Sequence, residues 1–150
     1  MMRQSSLSPV EQSVAGKACP AAISLASVAN RSFSTIFAGA LDNRPLGESR
    51  RLLVLHLTDV RASGQRSGMI RDRLRIYNYG QFRPYLALRG SAKISLDIGE
   101  GTFTVNALDV NGKTLKQIPV ENLPGGIAFS AATDCGPENR AVFAYEVVRR

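Results

Sequence analysis

Apolar and polar residues alternate with a period of two along most of the chain, and stretches with helical periodicity are scarce. The cleanest case is residues 92–98, where Ile94, Leu96 and Ile98 alternate with Lys, Ser and Asp. Successive side chains of a strand point to opposite faces, so this pattern predicts a strand with one face in the core and the other in water. Similar alternation predicts further strands over residues 102–107 and 141–148.

Three other segments are typical of strands in different ways. Residues 32–40 follow the two-residue period, with Phe33 and Phe37 on one face and Ile36 on the other. Residues 51–57 contain an unbroken apolar run, which is typical of a strand buried on both faces. A short helix that starts near Pro45, with Glu48 in its first turn, is the competing interpretation there. Residues 69–79 alternate apolar residues with Arg.

Turn signals separate these segments and set the predicted fold. Asn111-Gly112 is a strong hairpin signal, because a type I′ turn needs positive φ at both central residues. About nine or ten short strands with frequent turns predict an all-β fold, a two-sheet antiparallel β-sandwich. We expect one such domain over residues 14–150, preceded by a flexible polar segment over residues 1–13.

The positive charge of the chain is concentrated in its middle. The 150 residues carry 19 Lys and Arg against 12 Asp and Glu, a formal charge of +7. From Arg50 to Arg89 there are nine Arg, no Lys and two Asp, so this window alone accounts for the surplus. An apolar content of 44% with 21% charged residues indicates a globular chain rather than a disordered one. The chain is also short for a (β/α)8 barrel, which needs about 250 residues.

The chemistry-bearing residue types are few. A single histidine, His56, excludes sites built on two or three histidines, including HExxH zinc sites. Cys19 and Cys135 fit neither a CxxC motif nor zinc-ligand spacing. Two buried thiols are expected, and a disulfide between the chain ends is the alternative. With no Trp and 7% aromatic residues, a large aromatic platform for sugars or nucleobases is not expected. No cofactor and no metal is expected.

The sequence leaves the cellular location open. A charged lead-in followed by residues 18–29 has a weak resemblance to a secretory signal. Pro20 and several serines interrupt its apolar part, and Ile23 and Leu25 alternate with polar residues as in a strand. No apolar run approaches the ~18–20 residues of a membrane-spanning helix, so no membrane partner is expected.

Candidate catalytic groups lack the context that catalysis needs. Ser49 lies outside a Gly-x-Ser-x-Gly motif and has no neighbouring base in the sequence. His56 and Asp59 are three residues apart, so on a strand they face opposite sides. His56 is expected to be a core or edge histidine whose ring has hydrogen-bond partners.

Paired carboxylates are the other catalytic option, as in glycoside hydrolysis. The candidate pairs are Asp97 with Glu100 and Asp109 with Glu121. All four lie at predicted turns or on outward faces, where a solvated charge is the ordinary state. No catalytic residue is therefore assigned.

Several segments, taken in order, resemble a known family. Residues 40–46 read ALDNRPL, 48–54 read ESRRLLV, 105–113 read VNALDVNGK, and 144–147 read AYEV. These pieces resemble the C-terminal β-sandwich that follows the catalytic barrel in many bacterial (β/α)8-type glycoside hydrolases, over roughly Phe37 to the C-terminus. The resemblance implies a non-catalytic accessory domain, because the catalytic carboxylates of such enzymes lie on the barrel. Many enzymes of that family are secreted or periplasmic.

Two surfaces are predicted for binding. One is an aromatic cluster that could stack against and hydrogen-bond a sugar, or pack over the rim of the fold; its residues are Tyr77, Tyr79, Gln81, Arg83 and Tyr85. Tyr77 and Tyr79 share a face if the segment is a strand. The other is a stripe of Arg71, Arg73 and Arg75, which could bind an anion, dock an acidic partner or protect a sheet edge.

The leading hypothesis is an accessory β-sandwich that packs on a catalytic barrel or binds carbohydrate weakly. An anionic-polymer-binding module that uses the 50–89 face is the alternative from another class, although nucleic acid is not the favoured ligand. A small sugar-active hydrolase is the third hypothesis.

Overall fold

The structure is a computed structural model that describes residues 23–30 and 33–150. The side chains of residues 25–30, 81–83 and 139 are not described. The predicted segment 1–13 and Cys19 lie outside these residues, so the segment and the disulfide alternative stay predictions.

The described residues form an all-β structure with thirteen strands and no α-helix. A single 3-10 turn spans Pro137–Asn139. The strands are β1 (Ile23–Asn30), β2 (Ser34–Ala40), β3 (Arg51–Thr58), β4 (Val60–Ser63), β5 (Arg66–Ile70), β6 (Arg73–Asn78), β7 (Gln81–Ala87), β8 (Gly90–Asp97), β9 (Phe103–Leu108), β10 (Thr114–Ile118), β11 (Val120–Leu123), β12 (Gly126–Ala132) and β13 (Ala144–Arg149).

The strands are arranged in four sheets, and every paired neighbour runs antiparallel. One sheet has four strands in the order β1-β8-β12-β11, and another has five in the order β10-β9-β13-β3-β2. Two further sheets, β4-β7 and β5-β6, have two strands each. The predicted all-β antiparallel class is confirmed, but thirteen strands in four sheets replace the predicted nine or ten in two.

One hydrophobic cluster contains buried residues of both large sheets. Strand β8 contributes Ile94 and Leu96, which are at most 2% exposed, and β3 contributes Leu52 and Val54, which are at most 1% exposed. The predicted alternation in residues 92–98 is therefore confirmed: the apolar residues point inward, while Asp97 is exposed. Burial of these side chains removes apolar surface from water, the main stabilising contribution to such a core.

The segment before β3 is a turn and not the short helix considered as an alternative. The N–H groups of Glu48 and Ser49 both donate to the carbonyl of Pro45, and the chain then enters β3 at Arg51. The strand prediction for residues 51–57 is therefore correct. Burial on both faces is not observed, because Leu57 is 42% exposed.

The hairpin predicted at Asn111-Gly112 joins β9 to β10, but its turn is not type I′. Gly112 has φ +81°, whereas Asn111 is not among the residues with positive φ. The Asp109 carboxylate explains the difference, because its Oδ1 accepts the N–H groups of Asn111 at 2.8 Å and Lys113 at 2.9 Å. An aspartate side chain that accepts the backbone N–H two residues ahead forms an Asx turn, which here takes the place of the predicted type I′ turn.

Candidate functional site

The two small sheets together form one long two-stranded extension, which we call the basic arm (residues 60–87). Strand β4 pairs with β7 at its base, and β5 pairs with β6 at its tip. The turn at the tip consists of Arg71 and Asp72, with φ of +49° and +60°. Positive φ at both central residues is the signature of a type I′ hairpin. No residue of the arm belongs to the hydrophobic core cluster of the described chain.

The tip of the arm has two chemically different faces. Directly paired residues of an antiparallel hairpin share a face, and Gly68 pairs with Arg75 while Met69 pairs with Leu74. One face therefore carries Arg73, Arg75 and Tyr77, together with Ile70, which pairs with Arg73. A Cβ atom at Gly68 would lie 3.4 Å from Cε1 of Tyr77, which places the Tyr77 ring over that glycine. The opposite face carries Met69, Leu74 and Ile76, all exposed.

The predicted arginine stripe is thus only partly continuous. Arg73 and Arg75 lie on one face of β6, whereas Arg71 lies in the turn and is not a strand residue. Alternation fails at this point because the chain reverses direction between β5 and β6. Within the described residues, Arg71, Arg73 and Arg75 form none of the ion pairs observed, so their charge is available to a partner.

The predicted tyrosine cluster lies along the same arm. Tyr77, Tyr79 and Tyr85 are 64%, 73% and 60% exposed. Strand β6 ends at Asn78 and Gly80 has φ +69°, so the alternation that would place Tyr79 on the face of Tyr77 stops before it. The structure does not describe the side chains of Gln81 and Arg83.

The five-stranded sheet presents a second surface, which we call the outer leucine face (Phe37, Leu53, Leu55 and Leu57). Leu55 pairs with Phe37, so both point away from the core. Phe37 is 57% exposed, and its ring lies over Gly39, where a Cβ atom would be 3.0 Å from the ring. Leu53 and Leu55 are half-buried. The sequence predicted an apolar second face of β3 but not that it would remain partly open.

Arg51 and Glu146 border the outer leucine face with a charged pair. Nη2 of Arg51 lies 2.5 Å from Oε1 of Glu146, and Nε of Arg51 donates to the same oxygen at 3.0 Å. Glu146 of β13 pairs with Leu53 of β3, and Arg51 is the first residue of β3, so the ion pair adjoins the outer leucine face. A protein surface that covered this face would meet apolar side chains around one ion pair.

Ser49 is a structural residue and not a nucleophile. It is buried, and its Oγ lies 2.7 Å from Oδ1 of Asp42 and 2.8 Å from the carbonyl oxygen of Arg51. The backbone N–H of Arg50 donates to Oδ2 of Asp42 at 2.8 Å. These two donors, the Ser49 hydroxyl first, lower the pKa of Asp42. The contact between Ser49 and Asp42 therefore fixes the turn that leads into β3.

His56 is fully buried on the core side of β3. Its backbone N–H donates to the carbonyl of Phe143, but neither ring nitrogen has a hydrogen-bond partner among the described residues. The expected burial of His56 is confirmed, but the expectation that its ring would have hydrogen-bond partners is wrong for the described residues. Asp59 forms an ion pair with Arg61 and not with His56. Desolvation lowers the pKa of His56, so the ring is neutral.

The two candidate carboxylate pairs do not form a catalytic arrangement in the described chain. Asp109 caps its hairpin, and the backbone N–H of Lys113 lowers its pKa. Glu121 forms an ion pair with Lys93 at 2.6 Å. Asp97 and Glu100 are exposed, whereas a general acid needs a desolvated carboxyl group.

Sequence reasoning missed one cationic surface. A shallow cavity of about 500 Å3 is lined by Arg44, Glu48, Arg50, Arg149 and Arg150. Nη2 of Arg149 donates to the carbonyl of Ile98, and its guanidinium lies 5.0 Å from the centre of the Phe103 ring. These basic residues come from two distant parts of the chain, so no local sequence signal joined them.

The described residues lack two further features. No group of three or more His, Cys, Asp and Glu side chains comes together there as a metal site. The same part of the chain contains no helix of the length and apolarity needed to cross a membrane.

Comparisons of the chain with protein-family models, curated proteins and solved structures find no match.

Proposed function

We propose that this chain is a non-catalytic accessory β-sandwich that docks on a larger protein through the outer leucine face. In this proposal, the four- and five-stranded sheets form the body of the sandwich, since their inner faces contribute to one hydrophobic cluster. The resemblance to the C-terminal domains of glycoside hydrolases suggests a catalytic (β/α)8 barrel as the docking partner.

The partly open second face of β3 is the observation that carries the proposal. Along one strand, inward-pointing Leu52 is 1% exposed, whereas outward-pointing Leu57 is 42% exposed. An apolar patch that combines exposed Phe37 and Leu57 with half-buried Leu53 and Leu55 is typical of a protein-binding surface. The pairing of Arg51 with Glu146 satisfies both charges at this surface, so covering it does not isolate an unpaired charge.

A catalytic role for this chain alone has less support. Ser49 is used to fix a turn, Glu121 is paired with Lys93, and His56 is enclosed in the core. Weak carbohydrate binding by Tyr77, Tyr79 and Tyr85 is retained as a secondary part of the proposal, because these rings are exposed on one arm.

The test is complex formation with a (β/α)8 barrel protein encoded beside this chain, measured by sedimentation velocity. We expect a 1:1 complex, which Leu55→Ser weakens. Leu123→Ser is the matched control, because Leu123 is a partly exposed leucine of the four-stranded sheet. Absence of a complex, or a complex that Leu55→Ser leaves unchanged, would contradict docking by this face.

Two assays separate the other hypotheses. Saturable binding on a glycan array that is lost in Tyr79→Ala supports the carbohydrate component. Release of reducing ends from a polysaccharide panel by the isolated chain would instead establish a hydrolase.

A further inference from the structure

The basic arm is a separate surface, and its interpretation does not depend on the outer leucine face. Residues 60–87 contain six Arg and one Asp, with no Lys and no Glu. An isolated two-stranded hairpin is only marginally stable in water, and a third strand or a packing partner is needed for independent stability. The tip of the arm has neither among the described residues, because β5 and β6 form a sheet of two strands.

Strand β6 therefore has one edge without a backbone partner in the described chain. Its other edge is occupied by β5 in a register that runs from Ile70 opposite Arg73 to Arg66 opposite Asn78. An unpaired strand edge presents N–H and C=O groups that can pair with another chain. Extended peptides bind such edges by adding a strand, with backbone hydrogen bonds for affinity and alternating side chains for specificity.

The side chains of β6 specify what kind of strand fits this edge. Arg73, Arg75 and Tyr77 lie on one face, while Leu74 and Ile76 lie on the other. Neighbouring residues on adjacent antiparallel strands interact on the same face, where opposite charges attract and like charges repel. The complementary strand therefore carries acidic residues on the face of Arg73 and Arg75 and apolar residues on the face of Leu74 and Ile76.

We propose that the β6 edge binds an extended segment of a partner protein in which acidic and apolar residues alternate. The same charges disfavour a second copy of this chain, because pairing of two β6 edges would bring arginines together. Composition agrees with a protein partner, since Arg, Tyr and Met are enriched and Lys and Glu depleted at protein–protein interfaces. A nucleic acid would engage only the arginine and tyrosine face and leave Met69, Leu74 and Ile76 in water.

The test uses synthetic peptides as probes for the full chain. One labelled peptide alternates Glu and Val over eight residues, and a second has the same composition in two blocks. Fluorescence anisotropy should show saturable binding of the alternating peptide, with the block peptide at least about tenfold weaker because it cannot place all its carboxylates on one face. Residue-resolved hydrogen exchange should show new protection of the β6 amides that point away from β5.

Variants separate the charge contribution from a general loss of structure. Arg73→Gln with Arg75→Gln should weaken binding about two- to thirtyfold, as expected for two exposed ion pairs. Lys113→Gln with Lys116→Gln is the matched control, because it removes two exposed charges from the β9–β10 hairpin and should change nothing. Unchanged urea unfolding of the arginine variant would show that the core remains folded.

Three results would overturn the proposal. Equal binding of the block peptide would show that only net charge is recognised. Peptide binding without protection of β6 would exclude strand addition. Tighter binding of a single-stranded 20-nucleotide DNA, with the same dependence on Arg73 and Arg75, would assign the arm to nucleic acid instead.

Discussion

The phenol of Tyr145 on β13 forms two hydrogen bonds with the backbone of Ala132 on β12. The hydroxyl donates to the Ala132 carbonyl at 3.0 Å and accepts the Ala132 N–H at 2.8 Å. Because β13 belongs to the five-stranded sheet and β12 to the four-stranded sheet, one fully buried side chain links the two sheets. Desolvation raises the pKa of Tyr145, so the hydroxyl keeps its proton and remains a donor.

Tyr145→Phe should destabilise the chain without changing its fold. The substitution leaves the N–H of Ala132 without its partner, whereas the carbonyl of Ala132 still accepts the N–H of Cys135 at 3.3 Å. A buried donor without a partner costs about 1–3 kcal/mol. Urea unfolding followed by circular dichroism measures the loss. Tyr85→Phe is the control, because the Tyr85 side chain is exposed. Equal stability of the Tyr145→Phe variant and the native chain would show that the hydrogen bonds of Tyr145 make no net contribution to the free energy of unfolding.

His56 should make the chain less stable as the pH falls below about 6.5, its usual pKa. Burial lowers its pKa in the folded state, so the unfolded chain binds a proton in a pH range where the folded chain does not. Stability is therefore fully present above the unfolded pKa. Below it, stability decreases by up to about 1.4 kcal/mol per pH unit until the folded pKa is reached. Urea unfolding at closely spaced pH values between 8 and 5 measures this slope.

The matched variant for this prediction is His56→Leu, which removes the only histidine of the chain. Its stability should be flat over the same interval. Asp42 and Asp109 do not interfere, because their pKa values are lowered in the folded chain. The stability that they contribute is lost only as the pH falls below their usual pKa of 3.8. A slope that persists in His56→Leu would mean that another group titrates.

The regular strands were the part of the fold that the sequence predicted best. In residues 92–98 a two-residue period reports one buried and one solvated face, and Ile94, Leu96 and Ile98 are indeed buried. The same alternation predicted a strand over residues 141–148, where Tyr145 and Val147 are buried. Local alternation suffices in these segments because both the core and the solvent lie directly beside the strand.

The arm and the outer leucine face were not predictable in this way. Arg71-Asp72 adopts positive φ at both positions, yet it lacks the glycine that usually marks a type I′ turn, so the reversal at the tip was missed. The unbroken apolar run in β3 showed that both faces are apolar, but a sequence pattern does not say whether this chain or another molecule covers the second face. Leu57 lies on this second face and is 42% exposed.

Ser49→Ala should destabilise the turn before β3 and raise the pKa of Asp42. The hydroxyl of Ser49 is the largest cause of the lowered pKa of Asp42, and Ser49 also accepts the N–H of Arg51 at 3.2 Å. Loss of the part-buried bonds between Ser49 and the Arg51 backbone should cost about 0.5–1.5 kcal/mol. An NMR titration of the Asp42 carboxyl group and urea unfolding measure the two effects. Ser130→Ala, at an exposed position of β12, should change neither.

The two faces of β3 should respond very differently to truncation of a leucine. Leu52 lies in the core at 1% exposure, and its replacement by alanine should cost about 2–5 kcal/mol through lost burial and a cavity. Leu57 points outward at 42% exposure, so Leu57→Ala should cost less than about 1 kcal/mol in the isolated chain. Urea unfolding of both variants under one condition gives the comparison. If Leu57→Ala were as costly as Leu52→Ala, the outer face would already be covered within this chain, and docking there would have to be abandoned.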